Sequence, residues 1–157
     1  MVGARFLCLL LAAVPAVPAS QIPAQLRGDW VITRLIPTRT ISCWGQRDAD
    51  RLLRTHIHYS ADSLAWKNYE VPHATVTAQE WTAEDFFREY CGGSADSCVD
   101  FRQLGVHANA AVVLTIPHPA AHITEATTEI PGDWVLLKDK STIIISVCNL
   151  YFEAHRR

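Results

Sequence analysis

The chain lacks the short motifs that mark the common catalytic and nucleotide-binding sites. No Gly-x-Ser-x-Gly, His-Glu-x-x-His or glycine-rich phosphate loop occurs in its 157 residues. That removes the usual signatures of serine hydrolases, zinc peptidases and phosphate-binding loops. Cys-x-x-Cys is absent too, and the cysteine spacings are irregular, which disfavours a structural zinc site. Lys and Arg nowhere cluster and the formal net charge is −2, so the electrostatic footprint of a nucleic-acid binder is missing. The apolar run Phe6 to Val14 is too short to span a bilayer. Long polar stretches are also missing. Hydrophobic residues make up 49% and charged residues 19%, enough for one packed domain and against disorder.

The N-terminus has the pattern of a signal peptide. Arg5 supplies a basic start, Phe6 to Val14 an apolar core, and Val17-Pro18-Ala19 the small residues a signal peptidase requires. Residues 1–19 are therefore expected to be removed, leaving a single domain over 20–157 that is secreted or periplasmic. Cys8 falls within the removed segment. The other cysteines, Cys43, Cys91, Cys98 and Cys148, are an even set in an oxidising compartment, which suggests disulfides. Four cysteines allow three pairings. Cys91 and Cys98 flank the polar loop GGSADS and close easily on each other, which leaves Cys43 with Cys148. Free buried thiols are the alternative.

The body of the chain is rich in short strand patterns. Asp29–Pro37, Thr40–Trp44, Thr55–Ser60, Leu64–Tyr69, Ala74–Trp81, Ala110–Ile116, Ile123–Ile130, Trp134–Leu137 and Thr142–Phe152 are β-branched, aromatic or alternating. Thr142–Phe152 reads as one long strand whose apolar parity shifts near Val147 and Cys148, as at a bulge or in a strand buried on both sides. Lys138 to Ser141 reads as the turn before it. Asp48 to Leu53 has room for one helical turn. Thr82 followed by Asp85 resembles a capping box, so a short helix is expected over Thr82–Tyr90, ended by Gly92 and Gly93. Strands at this spacing imply an antiparallel barrel or sandwich.

Two segments are nearly the same: LRGDWVITR over 26–34 and IPGDWVLLK over 130–138. One matching pair does not make a repeat architecture. Each reads as a tight Gly-Asp turn into a strand that starts with Trp. In the first copy, Gly28-x-Trp30 at the start of the first strand of a small exported β-domain resembles the lipocalins and their calycin relatives. That resemblance implies a mainly β fold, an up-and-down antiparallel barrel, to which the Thr82–Tyr90 pattern adds one short inserted helix. Gly28 and Trp30 would close one end of it, and Arg156, late in the chain, would pack across the Trp. A Cys43–Cys148 bridge would join neighbouring first and last strands. A second lipocalin signature of the Thr-Asp-Tyr kind is not evident, and the 82–90 helix interrupts the strand series.

The resemblance implies a pocket for a small hydrophobic or carboxylated ligand. Trp30, Ile32 and Arg34 share one strand face, and so do Trp134, Leu136 and Lys138. If the Trp side points inward, Arg34 and Lys138 stand at the pocket mouth and can hold a carboxylate. Tyr59, Trp66 and Leu136 would add lining. The plainer reading makes both cations exposed strand ends. His56 and His58 lie on one strand face at a spacing that can chelate a metal, though no acidic residue completes a set. His118 and His122 are separated by Pro119. No cofactor is expected. Glu84, Asp85 and Glu89 read as helix-end charges, and a glycosidase-type carboxylate pair would carry no local signature. An enzyme is therefore the weaker reading. A small-ligand carrier leads, a protein-binding module of the cell envelope follows, and a His-based metal binder comes third.

Overall fold

The computed structural model describes residues 21–91, 98–119 and 129–157. The segment expected to be a signal peptide, the GGSADS loop, His122 and most of the Ile123–Ile130 strand candidate lie outside them. The elements are β1 (Gly28–Ile36), α1 (Gln46–Leu52), β2 (His56–Tyr59), β3 (Leu64–Trp66), β4 (Tyr69–Val71), β5 (Thr77–Thr82), α2 (Ala83–Tyr90), β6 (Ala110–Thr115), β7 (Trp134–Leu137), β8 (Thr142–Val147) and β9 (Leu150–Arg156). All the described strands belong to one antiparallel sheet in the order β4-β3-β2-β1-β9-β8-β7-β6-β5. The sheet curls into a half-barrel.

The expected closed barrel is not formed. First and last strands do pair, Trp30 opposite Arg156, as they would in a closed meander. Among the described residues the missing ladder lies between β4 and β5, the two edges of the sheet. β3 and β4 have three residues each, and Pro72 directly follows β4. A strand this short, ended by a residue with no N–H, cannot carry the hydrogen bonds that closure requires. The described residues also hold two helices rather than one. The helical turn read near Asp48 is α1, which buries Ala49 and Leu52. Thr82 caps α2 by accepting a hydrogen bond from the Asp85 backbone N–H.

Three strand expectations change. Thr40–Trp44 is not a strand. Leu64–Tyr69 divides into β3 and β4 around Lys67, which has φ of 51°. The long terminal strand is a hairpin: Val147 pairs with Leu150, and Cys148 and Asn149 between them have φ of 55° and 61°. Two left-handed residues make the tight turn whose twist suits antiparallel strands. The parity shift read near Val147 marked this turn.

Curling creates an inside and an outside. The inner face carries the main core, with Trp30, Ile32, Ile57, Tyr59, Leu64, Leu114, Val135, Ile143, Ile145 and Phe152 buried in it. Tyr59 of β2 donates its hydroxyl to the carbonyl of Gly132, just before β7, at 2.8 Å. Three strands lie between those two in the sheet, so this bond crosses the inside of the curl. The outer face of β6 to β9 is covered as well. Val113, Leu136, Ile144 and Tyr151 pack there with Phe86 of α2 and with Val99, Phe101, Leu104 and Val106. Burial on both faces explains the near-continuous apolar sequence of β8.

Cys43 and Cys148 lie at disulfide distance, with Cα atoms 5.5 Å apart, and so do Cys91 and Cys98 at 4.4 Å. The first pair ties the segment after β1 to the β8–β9 turn. Closing a loop of 105 residues is worth about 4–5 kcal/mol on the chain-entropy account. Among the described residues, no helix is long and apolar enough to cross a membrane.

Candidate ligand-binding site

The residues nominated as pocket lining do not converge. Tyr59 and Trp66 are buried in the inner core, with the Trp66 indole N–H donating to Thr55 Oγ1. Leu136 is buried on the outer face. Arg34 also leaves the Trp30 face. The ladder of β1 with β9 shifts between Ile32, which pairs with Ala154, and Arg34, which pairs with Glu153. Thr33 is the extra residue, and this bulge turns Arg34 to the outer side.

There Arg34 meets Lys138 after all, but around the protein's own carboxylate. Glu153 accepts from Lys138 Nζ at 2.6 Å and from Arg34 Nη2 at 2.8 Å. Burial alone would raise the Glu153 carboxyl; the Lys138 and Arg34 hydrogen bonds and charges hold it below its ordinary value. The two cations bind a carboxylate, and that carboxylate is internal. At the first Gly-Asp-Trp, Arg156 lies with its guanidinium 4.3 Å from the centre of the Trp30 ring. It donates to the carbonyls of Arg27, Gln25 and Lys140. Trp30 is fully buried and its indole donates to Leu26 O at 2.7 Å.

A different set of side chains surrounds an open space at the second Gly-Asp-Trp. A cavity of about 430 Å³ opens on the outer side, between the ends of β6 and β8, the starts of β7 and β9 and the end of α2. Tyr90, Trp134 and Tyr151 form its aromatic wall, and His118, Asp133 and Glu129 its ionisable one. The aromatic rings meet edge to face, Tyr90 with Trp134 at 6.1 Å and Trp134 with Tyr151 at 5.9 Å. The Trp134 indole donates to the Tyr90 hydroxyl at 3.1 Å. Glu129 accepts the backbone N–H of Cys148.

Asp133 is the central polar group. It accepts from the Ile130 N–H at 2.9 Å and faces His118 Nε2 at 2.9 Å. Burial raises its carboxyl above the ordinary value, against the opposing bonds from His118 and Ile130, and nearby Glu129 pushes the same way. Burial also raises the hydroxyls of Tyr90 and Tyr151. The other ring nitrogen of His118, Nδ1, lies 2.7 Å from the carbonyl oxygen of Pro119. A carbonyl only accepts, so Nδ1 carries a hydrogen. The Nε2···Oδ2 contact then holds one proton, on His118 or on Asp133. Neither His118 nitrogen presents a lone pair to the cavity, so the ring is not placed as a general base.

No sequence motif marks Asp133, Tyr90, Tyr151 or Glu129 as site residues, and the sequence relates His118 only to His122, across Pro119. No local spacing joins them. Asp133 and His118 are 15 positions apart, and Tyr90 arrives from a helix. The one available signal was the second Gly-Asp-Trp itself. His56 and His58 lie on the exposed side of β2, where His58 Nδ1 and Asp29 Oδ1 are 2.8 Å apart. Among the described residues, no three His, Cys, Asp or Glu side chains group as a metal site.

Two further cavities are present. One of about 590 Å³ lies at the Trp30–Arg156 end, lined by Val112 and Leu137 together with Arg156, Lys140, Glu80 and Asp139. The other, of about 240 Å³, lies between α1 and the β3–β4 turn. No protein family, curated protein or solved structure matches this chain.

Proposed function

We propose that this protein is an exported small-molecule binding protein whose ligand occupies the cavity beside Asp133. The observation that carries this reading is the convergence there of aromatic faces with a buried carboxyl, Asp133, whose protonation burial favours, the combination expected of a binding site. Size agrees, since about 430 Å³ falls in the range of small-ligand pockets. The engagement of both His118 nitrogens favours holding a ligand over transforming it. The cysteine pairs and the signal-like N-terminus support export.

The lining suits a ligand with an amine or several hydroxyl groups and some apolar surface. Cations and C–H faces pack on aromatic rings, and carboxyl groups take the hydrogen bonds. A carboxylated ligand, the class implied by the lipocalin resemblance, would match the cavity of about 590 Å³ better, where Arg156 and Lys140 accompany Val112 and Leu137. Native mass spectrometry of the oxidised protein from its own host, followed by denaturing mass analysis, separates these readings. A mass excess lost on denaturation is expected in the wild type and is expected to weaken about tenfold or more, ~1.4 kcal/mol, in Asp133→Asn. Retention in Asp133→Asn with loss in Lys140→Ala would move the site to the second cavity. An apo mass together with no affinity for amine or polyol libraries would sink the proposal.

A further inference from the structure

The two edges of the open sheet are not alike. β4 is three residues long and runs into Pro72, which blunts it against further pairing. β5 spans six residues, Thr77-Ala-Gln-Glu-Trp-Thr82, all exposed except the half-buried Trp81. It contains no Pro and no Lys, the residues that usually protect an edge. Its only charge is Glu80.

The ladder fixes which groups β5 offers. Ala83 N donates to Asn109 O at 2.9 Å, continuing the register in which Trp81 faces Ala111 and Gln79 faces Val113. Antiparallel pairs alternate between bonded and non-bonded. Thr77, Gln79 and Trp81 therefore bond to β6, whereas Ala78 and Glu80 direct both N–H and C=O away from it. Among the described residues, no backbone hydrogen bond reaches Ala78 or Glu80 from that outer side.

We infer that this edge pairs with β5 of a second copy, antiparallel about a two-fold axis. Strand addition along an edge requires the outward-facing residues of both strands to meet. Two registers are central. One puts Glu80 opposite Glu80 of the partner, and like charges directly opposite are destabilising. The other puts Gln79 opposite its own copy on the axis. In that register Ala78 and Glu80 of one chain exchange N–H···O=C bonds with Glu80 and Ala78 of the other. Each Glu80 faces a small neutral Ala, the paired Gln79 amides can bond each other, and each Trp81 faces a Thr77. The β5 sequence is thus self-complementary in one register and self-repelling in the next. Glu80 also lines the cavity of about 590 Å³, so the partner strand would add a wall along its open side.

Analytical ultracentrifugation of the oxidised protein over a concentration series tests this. A concentration-dependent dimer is expected. Glu80→Pro removes an outward N–H that the β6 ladder does not use, so it should give a monomer whose circular dichroism and melting remain those of a folded sheet. Gln79→Cys should form an intermolecular disulfide across the axis, and Glu80→Cys should form far less of it. A wild type that stays monomeric at every concentration overturns the inference and leaves the edge to a strand of some other protein. A dimer that survives Glu80→Pro, or that cross-links better through Glu80→Cys, overturns it as well. If Glu80→Pro fails to fold, the cross-linking pair alone decides.

Discussion

Gly28-Asp29-Trp30 and Gly132-Asp133-Trp134 both lead into strands, β1 from its Gly and β7 from its Trp, and end in opposite roles. Both glycines have positive φ, 117° and 96°. Both Asp residues pair with a histidine, Asp29 with His58 and Asp133 with His118. The exposures differ sharply. The Asp29 and His58 side chains are 57% and 51% exposed, and those of Asp133 and His118 13% and 7%. Trp30 points into the curl and Asp29 away from it, as neighbouring residues of one strand do. Trp134 points outward, and Asp133 lines the same cavity beside it. Asp133 precedes β7, in a turn closed by its N–H on the Ile130 carbonyl, so it is not bound by strand alternation. The strand that follows decides whether the Trp plugs the core or lines a cavity.

The largest expected effect separates the tryptophans. Trp30→Ala removes a fully buried ring and the surface on which Arg156 stacks, and should cost about 3–5 kcal/mol of stability. Trp134 is half-buried. Trp134→Ala should cost about 1–2 kcal/mol, mostly its edge-to-face contacts. Equal losses in chemical denaturation would erase the distinction between plug and lining. The glycines should differ next. A Cβ at Gly132 would meet the Tyr59 hydroxyl at 2.3 Å and Ile57 at 3.0 Å, and one at Gly28 would meet only the Arg156 guanidinium at 3.1 Å. Both alanine variants carry the strain of positive φ, about 1–3 kcal/mol. Gly132→Ala also displaces the hydroxyl that bonds across the curl, so its loss should be larger by about 1–2 kcal/mol. The same melting series would show it, and a smaller loss at Gly132 would mean that Tyr59 is not held there.

Local features were legible in the sequence and long-range ones were not. The Thr82 cap, the alternation of β2 and the span of β7 each depend on residues close together in the chain. So does the tight turn at Gly132-Asp133; at the first copy Gly28 and Asp29 already belong to β1, and the turn lies at residues 24–26. Arg34 and Lys138 were singled out as carboxylate binders by their place on a strand face. Their partner Glu153 was missed, although a lone acid within LYFEA is itself unusual. The bulge at Thr33 was invisible because it adds a residue without breaking the apolar pattern. The open seam depended on the shortness of β3 and β4, set by a turn at Lys67 that no Gly or Pro announces. The cavity was least legible. It assembles Tyr90, His118, Asp133 and Tyr151 from separate elements, and burial alone distinguishes Asp133 from Asp29.

The aspartates give the smallest effect and the sharpest sign. Asn at position 133 keeps an acceptor for the Ile130 N–H and can donate to His118 Nε2, so the shape of the site is retained. Burial raises the Asp133 carboxyl in the folded protein. As pH rises past about 4, the ordinary carboxylate value, the unfolded chain gives up this proton first. The folded chain holds it longer, and the stabilising contribution of the protonated carboxyl is lost until pH passes the folded value. Asp133→Asn cannot ionise. It should therefore gain stability relative to wild type as pH rises through that window, by ~1.4 kcal/mol for each unit separating the two values. Asp29→Asn, at an exposed pair, should change stability by about 0.5 kcal/mol or less. Urea denaturation of both variants across acid to neutral pH reads the difference directly. If Asp133→Asn instead loses ground as pH rises, the shared proton lies on His118, and a buried ion pair rather than a neutral carboxyl organises the second turn. A gap that does not move with pH would mean that burial leaves Asp133 no different from its exposed counterpart, and the two turns would then differ in packing alone.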